Sequence, residues 1–177
     1  MKTRATSIPV LIFLLTVSSC AEVDKLLTFK LSYDTTFEIN NGLPVDIPLD
    51  VSTLEITTNS NVKFNDYNTS AELVKDIKLQ ELKLSIVNTN DKTFGFLKSV
   101  HVYISTDGND ETELAFLDNI NTTENNISLI CNTQELDRYI KAPSYRIRTS
   151  VITRETLGEE VTVKAEIKFK VTADPFD

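Results

Sequence analysis

The sequence contains few residues of the types that carry out catalysis. Those residues are not spaced as known catalytic sites require. His101 is the one histidine in the chain, and it alternates with Val100 and Val102 as residues of a β-strand do. A position on a sheet face is therefore its simplest interpretation. Zinc-ligand spacings, nucleophile–histidine arrangements and glycine-rich phosphate loops are absent from the sequence. We expect a protein that is not an enzyme and needs no metal or cofactor.

Carboxylates outnumber the basic side chains, with 26 Asp and Glu against 18 Lys and Arg. Asp107, Asn109 and Glu111 have the 1, 3, 5 spacing of a calcium loop, but the glycine at the sixth position and the later bidentate Glu are missing. A β-turn at Asp107-Gly108 is the preferred interpretation. A glycan hydrolase would need two carboxyl groups held about 5–10 Å apart. The sequence identifies no such pair, so this activity is the third-ranked hypothesis.

Basic residues near the C terminus form a local exception in an acidic chain. Five are expected to share the outer face of a final hairpin: Arg146, Arg148, Lys164, Lys168 and Lys170. Charge on such a face commonly serves solubility. The functional alternative is a binding patch for an acidic glycan, a lipid phosphate or an acidic protein. The excess of acidic residues, with a formal net charge of -8, argues against nucleic acid as a partner and against adhesion to anionic lipid.

Cys20 stands in a sequence that is typical of an exported protein. It closes the tetrapeptide VSSC, which follows an apolar run over residues 8–17 and the basic residues Lys2 and Arg4. The run is too short to cross a bilayer core of about 30 Å as a helix. The segment resembles a bacterial lipoprotein signal peptide over residues 1–19. The resemblance implies a lipid on the Cys20 thiol and acylation of the new N terminus, which together give stable anchoring.

Processing at Cys20 would leave residues 20–177 and change the net charge from -8 to -10, because two basic residues are lost. Residues 20–24 are then a lipidated cysteine with a short tether, and residues 25–177 form one domain by size. A tether of about five residues reaches roughly 17 Å at most. The domain is therefore expected to lie against its membrane. Cys131 is left without a disulfide partner and is expected to be a buried, small apolar side chain.

The elements that must position these residues are β-strands. Residues 160–172, EVTVKAEIKFKVT, alternate strictly between polar and apolar, which predicts a long strand with one buried face. Shorter alternating segments recur, with turn signals every 8–12 residues, and short helices are expected only over residues 71–76 and 134–141. The pattern predicts an all-β fold, an immunoglobulin-like antiparallel β-sandwich of about eight or nine strands. A closed barrel is the alternative.

The last two strands, residues 145–154 and 160–172, are expected to form a hairpin. One allowed register pairs Arg148 with Glu166, whereas the next sets Arg148 against Lys168. Cross-strand pairs contribute roughly 0.2–1 kcal/mol each. We therefore expect the register with the opposite charges.

Three segments carry a resemblance to a known family. They are EITTNS at residues 55–60, FGFLKSV at residues 94–100 running into Tyr103-Ile104, and FKVTADP at residues 169–175. Together they resemble a family of Bacteroidetes lipoproteins, and a looser similarity links the chain to water-stress and late-embryogenesis β-sandwich domains. The resemblance implies an outer-membrane or surface lipoprotein and brings no catalytic residues. The triplet Asp34-Thr35-Thr36 also resembles an O-glycosylation acceptor of exported proteins in these bacteria, which would place a sugar on Thr35.

From these observations we expect a lipid-anchored, non-enzymatic protein of the outer membrane that acts as an accessory binding or scaffolding module. It would lie on the periplasmic face or the cell surface, with an envelope glycan or protein as partner. One alternative is a subunit of a fimbria-like surface assembly that donates residues 160–172 as a strand. Another is a surface glycan-binding protein.

Overall fold

The computed structural model describes residues 28–89 and 91–173. Within these ranges the elements are β1 (Thr28–Ile39), β2 (Leu49–Thr57), α1 (Ser60–Asp66), β3 (Val74–Ile86), a 3-10 turn (Phe94–Phe96), β4 (Leu97–Ser105), β5 (Thr112–Leu117), β6 (Asn126–Ser128), β7 (Ile130–Cys131), α2 (Asp137–Ile140), β8 (Ser144–Thr153) and β9 (Val161–Ala173). The predicted count of eight or nine strands with one or two short helices is confirmed.

The strands form two antiparallel sheets. The four-stranded sheet has the order β1-β9-β3-β6, and the five-stranded sheet has the order β2-β8-β4-β5-β7. Apolar side chains from both sheets form one continuous buried cluster, as expected where two sheets pack face to face. The predicted all-β antiparallel sandwich is confirmed.

Strand β9 occupies the centre of the four-stranded sheet. Its odd-numbered residues from Val161 to Ala173 are buried, as the sequence alternation predicts. It pairs with β1 on one side and with β3 on the other. Since both edges of β9 bond within the chain, donating this strand to another subunit would remove the centre of a sheet. The expectation that residues 160–172 act as a donated strand is therefore wrong.

Strands β8 and β9 do not form the predicted hairpin. β8 lies between β2 and β4 in the five-stranded sheet, so residues 154–160 cross from one sheet to the other. Arg148 stands beside Tyr103 of β4, and Glu166 stands beside Asp34 of β1. The predicted pairing of Arg148 with Glu166 is wrong. The prediction compared the charges in two registers of one hairpin. In the structure β8 and β9 belong to different sheets and pair with other strands.

One of the two predicted helices is misplaced. Residues 71–73 form a turn, and Val74 already belongs to β3, where its side chain is buried. The helix is instead α1, whose Phe64 is fully buried. Among the described residues no side chain caps the start of α1. The other helix, α2, lies inside the predicted range 134–141.

The registers give the sandwich two distinct ends. At the N-terminal end β1 begins, and the segments 58–73, 106–111 and 132–143 lie there. At the opposite end, called the distal end below, four segments connect the strands. These are residues 40–48, residues 87–96 without residue 90, residues 118–125 and residues 154–160. The 13 residues of β9 separate the two ends by roughly 40 Å, at about 3.3 Å per residue.

Candidate functional site

An open cleft of about 500 Å³, lined by charged and carboxamide residues, lies at the distal end and is called the distal cleft below. Its lining residues are Asp46, Lys98, Asn119, Asn121 and Arg154. They come from the loop before β2, the start of β4, the loop after β5 and the segment after β8. The volume lies within the roughly 300–1,000 Å³ that ligand clefts usually occupy. Only the folded chain brings these five residues together.

Arg154 is the best-fixed side chain of the distal cleft. Its Nε donates to the Leu97 carbonyl at 3.3 Å, and one Nη donates to the Ile120 carbonyl. Its backbone N–H also donates to the Phe96 carbonyl at 2.8 Å. A guanidinium carries five N–H donors, and the two recorded side-chain bonds use two of them. The group is therefore held in place while it keeps donors for a ligand.

Asp46 and Lys98 form an ion pair at the rim of the cleft. The Lys98 Nζ lies 2.9 Å from the Asp46 Oδ1, and both side chains are more than half exposed. An exposed pair adds little to stability, so either group can exchange its partner for a ligand. Asp46 and Asn119 both have left-handed backbones, with φ of 59° and 51°. Asp and Asn tolerate this region better than other residues with side chains.

The chemistry of the lining suits binding rather than bond breaking. Lys98, Arg154 and the carboxamides of Asn119 and Asn121 supply donors, while Asp46 and the same carboxamides supply acceptors. The described lining holds no Ser, Cys or His that would act as a nucleophile. Two cations face one carboxylate, so the cleft is locally positive in an acidic chain. A hydroxyl-rich or anionic ligand fits this set of groups.

Sequence reasoning missed all five lining residues. Lys98 and Arg154 stand at strand ends, Asp46 stands in the loop before β2, and Asn119 and Asn121 share the loop after β5. The one local signal was Asp and Asn in turn-rich segments, which favour left-handed backbones. That signal predicts that a turn forms, but it does not predict which turns lie next to one another in the fold.

His101 lies on the outer face of the five-stranded sheet between two carboxylates. Its Nδ1 is 2.6 Å from the Glu113 Oε1, and its Nε2 is 3.2 Å from the Asp118 Oδ1. Burial alone would lower the pKa of His101, but the hydrogen bonds and charges of the two carboxylates outweigh it and raise the pKa above its ordinary value. Both ring nitrogens then act as donors, so neither is free to act as a general base.

Three rings and a guanidinium stack across this face. The His101 ring centroid is 6.4 Å from that of Tyr103 and 5.8 Å from that of Phe116, with interplanar angles of 18° and 20°. The Arg148 guanidinium carbon lies 4.1 Å from the centre of the Tyr103 ring. Because the ring faces cover one another, the row does not offer the open, flat ring face on which a sugar would stack. We interpret the row as a stabilising feature of the sheet.

The five basic residues predicted to form one patch lie in two sheets. Arg146 and Arg148 belong to β8, whereas Lys164, Lys168 and Lys170 belong to β9. Lys164 lies 3.1 Å from both Asp34 and Glu166, and Lys168 lies 2.7 Å from Glu81. The predicted common patch is wrong, because it depended on the hairpin of β8 with β9.

A second cleft, of about 460 Å³, lies at the N-terminal end and contains Asp110, Glu111 and Glu135. Asp110 accepts from the Thr106 hydroxyl at 2.5 Å and from its backbone N–H at 2.8 Å, and these bonds lower the pKa of Asp110. Hydrogen bonds from Arg148 lower the pKa of Glu111. A hydrolytic general acid must hold its proton near neutral pH. Asp110 and Glu111 therefore do not suit that role.

The residues with calcium-like spacing form a turn. The Asp107 Oδ1 accepts from the Asn109 N–H at 2.9 Å, and Gly108 has a φ of 82°. Glu111 is bound to Arg148 instead of facing these two residues. Among residues 28–89 and 91–173, no three or more His, Cys, Asp or Glu side chains are arranged to hold a metal ion. No helix in these ranges is long and apolar enough to cross a membrane.

The remaining predicted residues have separate outcomes. Cys20 lies outside the described residues. Cys131 is half-buried, and burial raises the pKa of its thiol, which keeps it protonated and weakly reactive near neutral pH. Thr35 is half-buried between the sheets, near Leu54 and Ala165. A sugar on its hydroxyl would have to fit between the sheets, so this location argues against the predicted O-glycosylation.

Comparisons with known proteins give this chain no family. No family model matches it, and no curated protein matches it. One similar solved structure, from Desmodium yellow mottle tymovirus, shares 10% identity over all of this chain and 92% of that chain, with a TM-score of 0.28. Another, from infectious bursal disease virus Gx strain, shares 13% identity over 84% of this chain and 41% of that chain, also with a TM-score of 0.28. Likeness at this level carries no argument about function.

Proposed function

We propose that this chain is a lipid-anchored, non-enzymatic binding module of the cell envelope that holds its ligand in the distal cleft. One observation supports this above the others: the cleft lies at the end of the sandwich opposite to the start of β1. A lipid on Cys20 would hold the N-terminal end against the membrane. The cleft would then face away from the membrane, where a large envelope ligand can reach it.

An acidic glycan is the ligand class that the lining favours. Carboxamides such as those of Asn119 and Asn121 pair well with sugar hydroxyls, because each offers both a donor and an acceptor. Lys98 and Arg154 add two charged donors, and hydrogen bonds to charged groups are roughly twice as strong as neutral ones. A carboxylate or sulfate on the glycan would displace Asp46 from Lys98. The charge of the cleft thus distinguishes this ligand class from a neutral glycan.

Removing two rim side chains tests the proposal. We expect the double variant Lys98→Ala/Asn121→Ala to lose affinity for acidic glycans about tenfold or more, since one charge-assisted bond contributes about 1.5–3 kcal/mol. Both side chains are exposed, so the fold should be retained. The measurement is a glycan array followed by calorimetry, with the mature protein.

Lys78→Ala is the matched control for the cleft variant. Lys78 is also ion-paired, to Asp76 at 3.0 Å, but it lies on the outer face of the four-stranded sheet. Its removal should leave glycan affinity unchanged. Unchanged affinity in the cleft variant, or an equal loss in the control, would refute binding in the distal cleft.

A second candidate function is assembly by strand addition, and the free edge of β1 favours it. Within the described residues β1 pairs only with β9, along all twelve of its residues and without a bulge. Thr162 of β9 bonds to Val87 and Asn88 on the β3 side. Since bonding direction alternates along a strand, the N–H groups of even-numbered β1 residues, such as Thr36, point away from β9.

Helix α1 covers only the first half of this edge. The Lys63 Nζ donates to the Ser32 carbonyl at 2.8 Å, whereas a groove of about 400 Å³ lies beside Thr36 and Glu38, between β1 and β2. Thr36→Pro would remove one free-edge N–H without removing a bond to β9. If the protein assembles through this edge, Thr36→Pro should abolish oligomers in light scattering and Thr36→Val should not. A monomeric parent chain, or oligomers that survive Thr36→Pro, would exclude this function.

A further inference from the structure

Two large apolar side chains are exposed beside helix α1 at the N-terminal end. Val62 is 61% exposed and Tyr67 is 52% exposed. The Tyr67 ring stacks on Phe29 with centroids 4.3 Å apart, and Phe29 meets the fully buried Phe64 edge-on at 6.2 Å. Tyr67 therefore stands on a packed aromatic base, and Val62 is exposed on the adjoining helix α1. We call the surface formed by residues 28–30, 62–67 and 170–172 the α1 corner.

Lysines border the α1 corner. Lys30, Lys170 and Lys78 lie side by side on β1, β9 and β3, and Lys63 reaches over the Tyr33 ring at 4.0 Å. Like charges directly opposite one another destabilise a sheet. Lys78 is ion-paired to Asp76, so the direct repulsion in this row lies between Lys30 and Lys170, in a chain of net charge -8. An anionic surface in contact with the row would remove the repulsion.

Acidic side chains near the α1 corner cancel only part of this charge. Asp66 and Glu72 are exposed there, and Asp76 is bound to Lys78 at 3.0 Å. Lys30 and Lys170 have exposed side chains on the outer face. The acidic segment 106–111 belongs to the turn of β4 with β5, which lies on the far side of the other sheet from β1. The corner is thus the more basic part of the N-terminal end.

The short distance from the expected lipid site to the fold identifies the occupant of this surface. Seven residues separate Cys20 from Thr28, and a chain of that length spans at most about 29 Å. If Cys20 carries lipid, as the proposed function requires, a bilayer lies within that distance of Thr28, and Phe29 and Lys30 follow it directly. Tyrosine is favoured where lipid meets water. Lysine stems can lie along apolar surface while their ammonium groups reach the phosphates.

We infer that the α1 corner docks on the membrane surface, with Val62 and Tyr67 contacting lipid and Lys30 and Lys170 contacting lipid phosphates. This contact rests on the proposed lipid anchor and adds an orientation to it. The sandwich stands on one corner, with the distal cleft held away from the bilayer.

The chain contains no tryptophan, so Tyr67→Trp gives a single fluorescent reporter at the α1 corner. The lipidated protein would be reconstituted in vesicles of phosphatidylethanolamine and phosphatidylglycerol at a ratio of about 3:1. We expect brominated acyl chains to quench the new indole and its emission to shift to shorter wavelength. The matched control is Val87→Trp, because Val87 is 53% exposed but lies at the distal end. Its emission should be neither quenched nor shifted.

Vesicle flotation separates failure of the docking contact from failure of the anchor. If the protein floats with the vesicles and the indole at position 67 is not quenched, the anchor stands and the docking contact is refuted. Equal quenching at positions 67 and 87 also refutes the orientation. A protein that does not float overturns both the anchor and the contact that rests on it.

Charge reversal tests the lysines. In the Tyr67→Trp background, Lys30→Glu/Lys170→Glu should weaken quenching, whereas the distal pair Lys92→Glu/Lys98→Glu should leave it unchanged. Unchanged quenching in the Lys30→Glu/Lys170→Glu variant would show that these lysines do not contribute to the contact.

Discussion

At the level of single residues, the contacts of His101 contribute to the fold and do not indicate a catalytic role. Its two ring nitrogens face Glu113 and Asp118, and its ring is covered by neighbours on both sides. The sequence predicted a sheet-face histidine from alternation alone. It could not predict the carboxylates, because Glu113 lies on β5 and Asp118 directly follows that strand, so the pairing register of β5 had to be known first.

His101→Gln should produce a pH-dependent loss of stability. The folded pKa of His101 is raised above the unfolded value of about 6.5, so the protonated ring favours the folded state. Its contribution is fully present below about pH 6.5 and is lost as the pH rises through the folded pKa. Urea unfolding should show a loss on the order of 1 kcal/mol at pH 5.5 and a smaller one at pH 9. An equal loss at both pH values would contradict the ion pairs.

Arg148→Lys should destabilise the fold by about 1 kcal/mol although the charge is kept. Arg148 holds Glu111 with two N–H groups at 2.6 and 2.9 Å and Asp50 with a third at 2.7 Å, and it covers the Tyr103 ring. Lysine cannot make the two-pronged bond. Arg146→Lys, at an exposed site in the same strand, is the control and should be neutral within about 0.5 kcal/mol. Equal urea midpoints for the two variants would contradict this role for Arg148.

Among the elements, alternation predicted strand faces well and sheet membership poorly. The buried face of β9 agrees with the sequence. Alternation does not reveal that β6 and β7 pair in opposite sheets on either side of Leu129. Side-chain alternation is a local property, whereas the choice of partner strand depends on contacts far along the chain. The error over the β8–β9 hairpin has the same cause.

Helix α1 should depend on its buried aromatic anchor. Phe64 is fully buried against Phe29, and among the described residues no side chain caps the helix start. Phe64→Ala should therefore lower the free energy of unfolding by about 3–5 kcal/mol. Val62→Ala, at an exposed site in the same helix, should change it by less than about 0.5 kcal/mol. Denaturant unfolding of both variants measures the difference, and similar small losses would show that α1 is held by other contacts.

The whole molecule has two ends with different chemistry. The N-terminal end carries exposed Val62 and Tyr67 beside lysines, and the distal end carries the distal cleft. The fold class followed from the sequence because alternation and turn signals are repeated along the chain. The cleft did not follow, because Asp46, Asn121 and Arg154 become neighbours only when both sheets have closed. The predicted basic patch was wrong because residues of two consecutive strands were assumed to be neighbours in space.

Lipid attachment at Cys20 is the claim on which the orientation of the molecule depends. Mass spectrometry of the mature protein, isolated from membranes and digested, tests it most directly. The N-terminal peptide should begin at Cys20 and carry the mass of a diacylglyceryl group together with an amide-linked acyl chain. A mature protein that begins elsewhere, or an unmodified Cys20, would contradict the account.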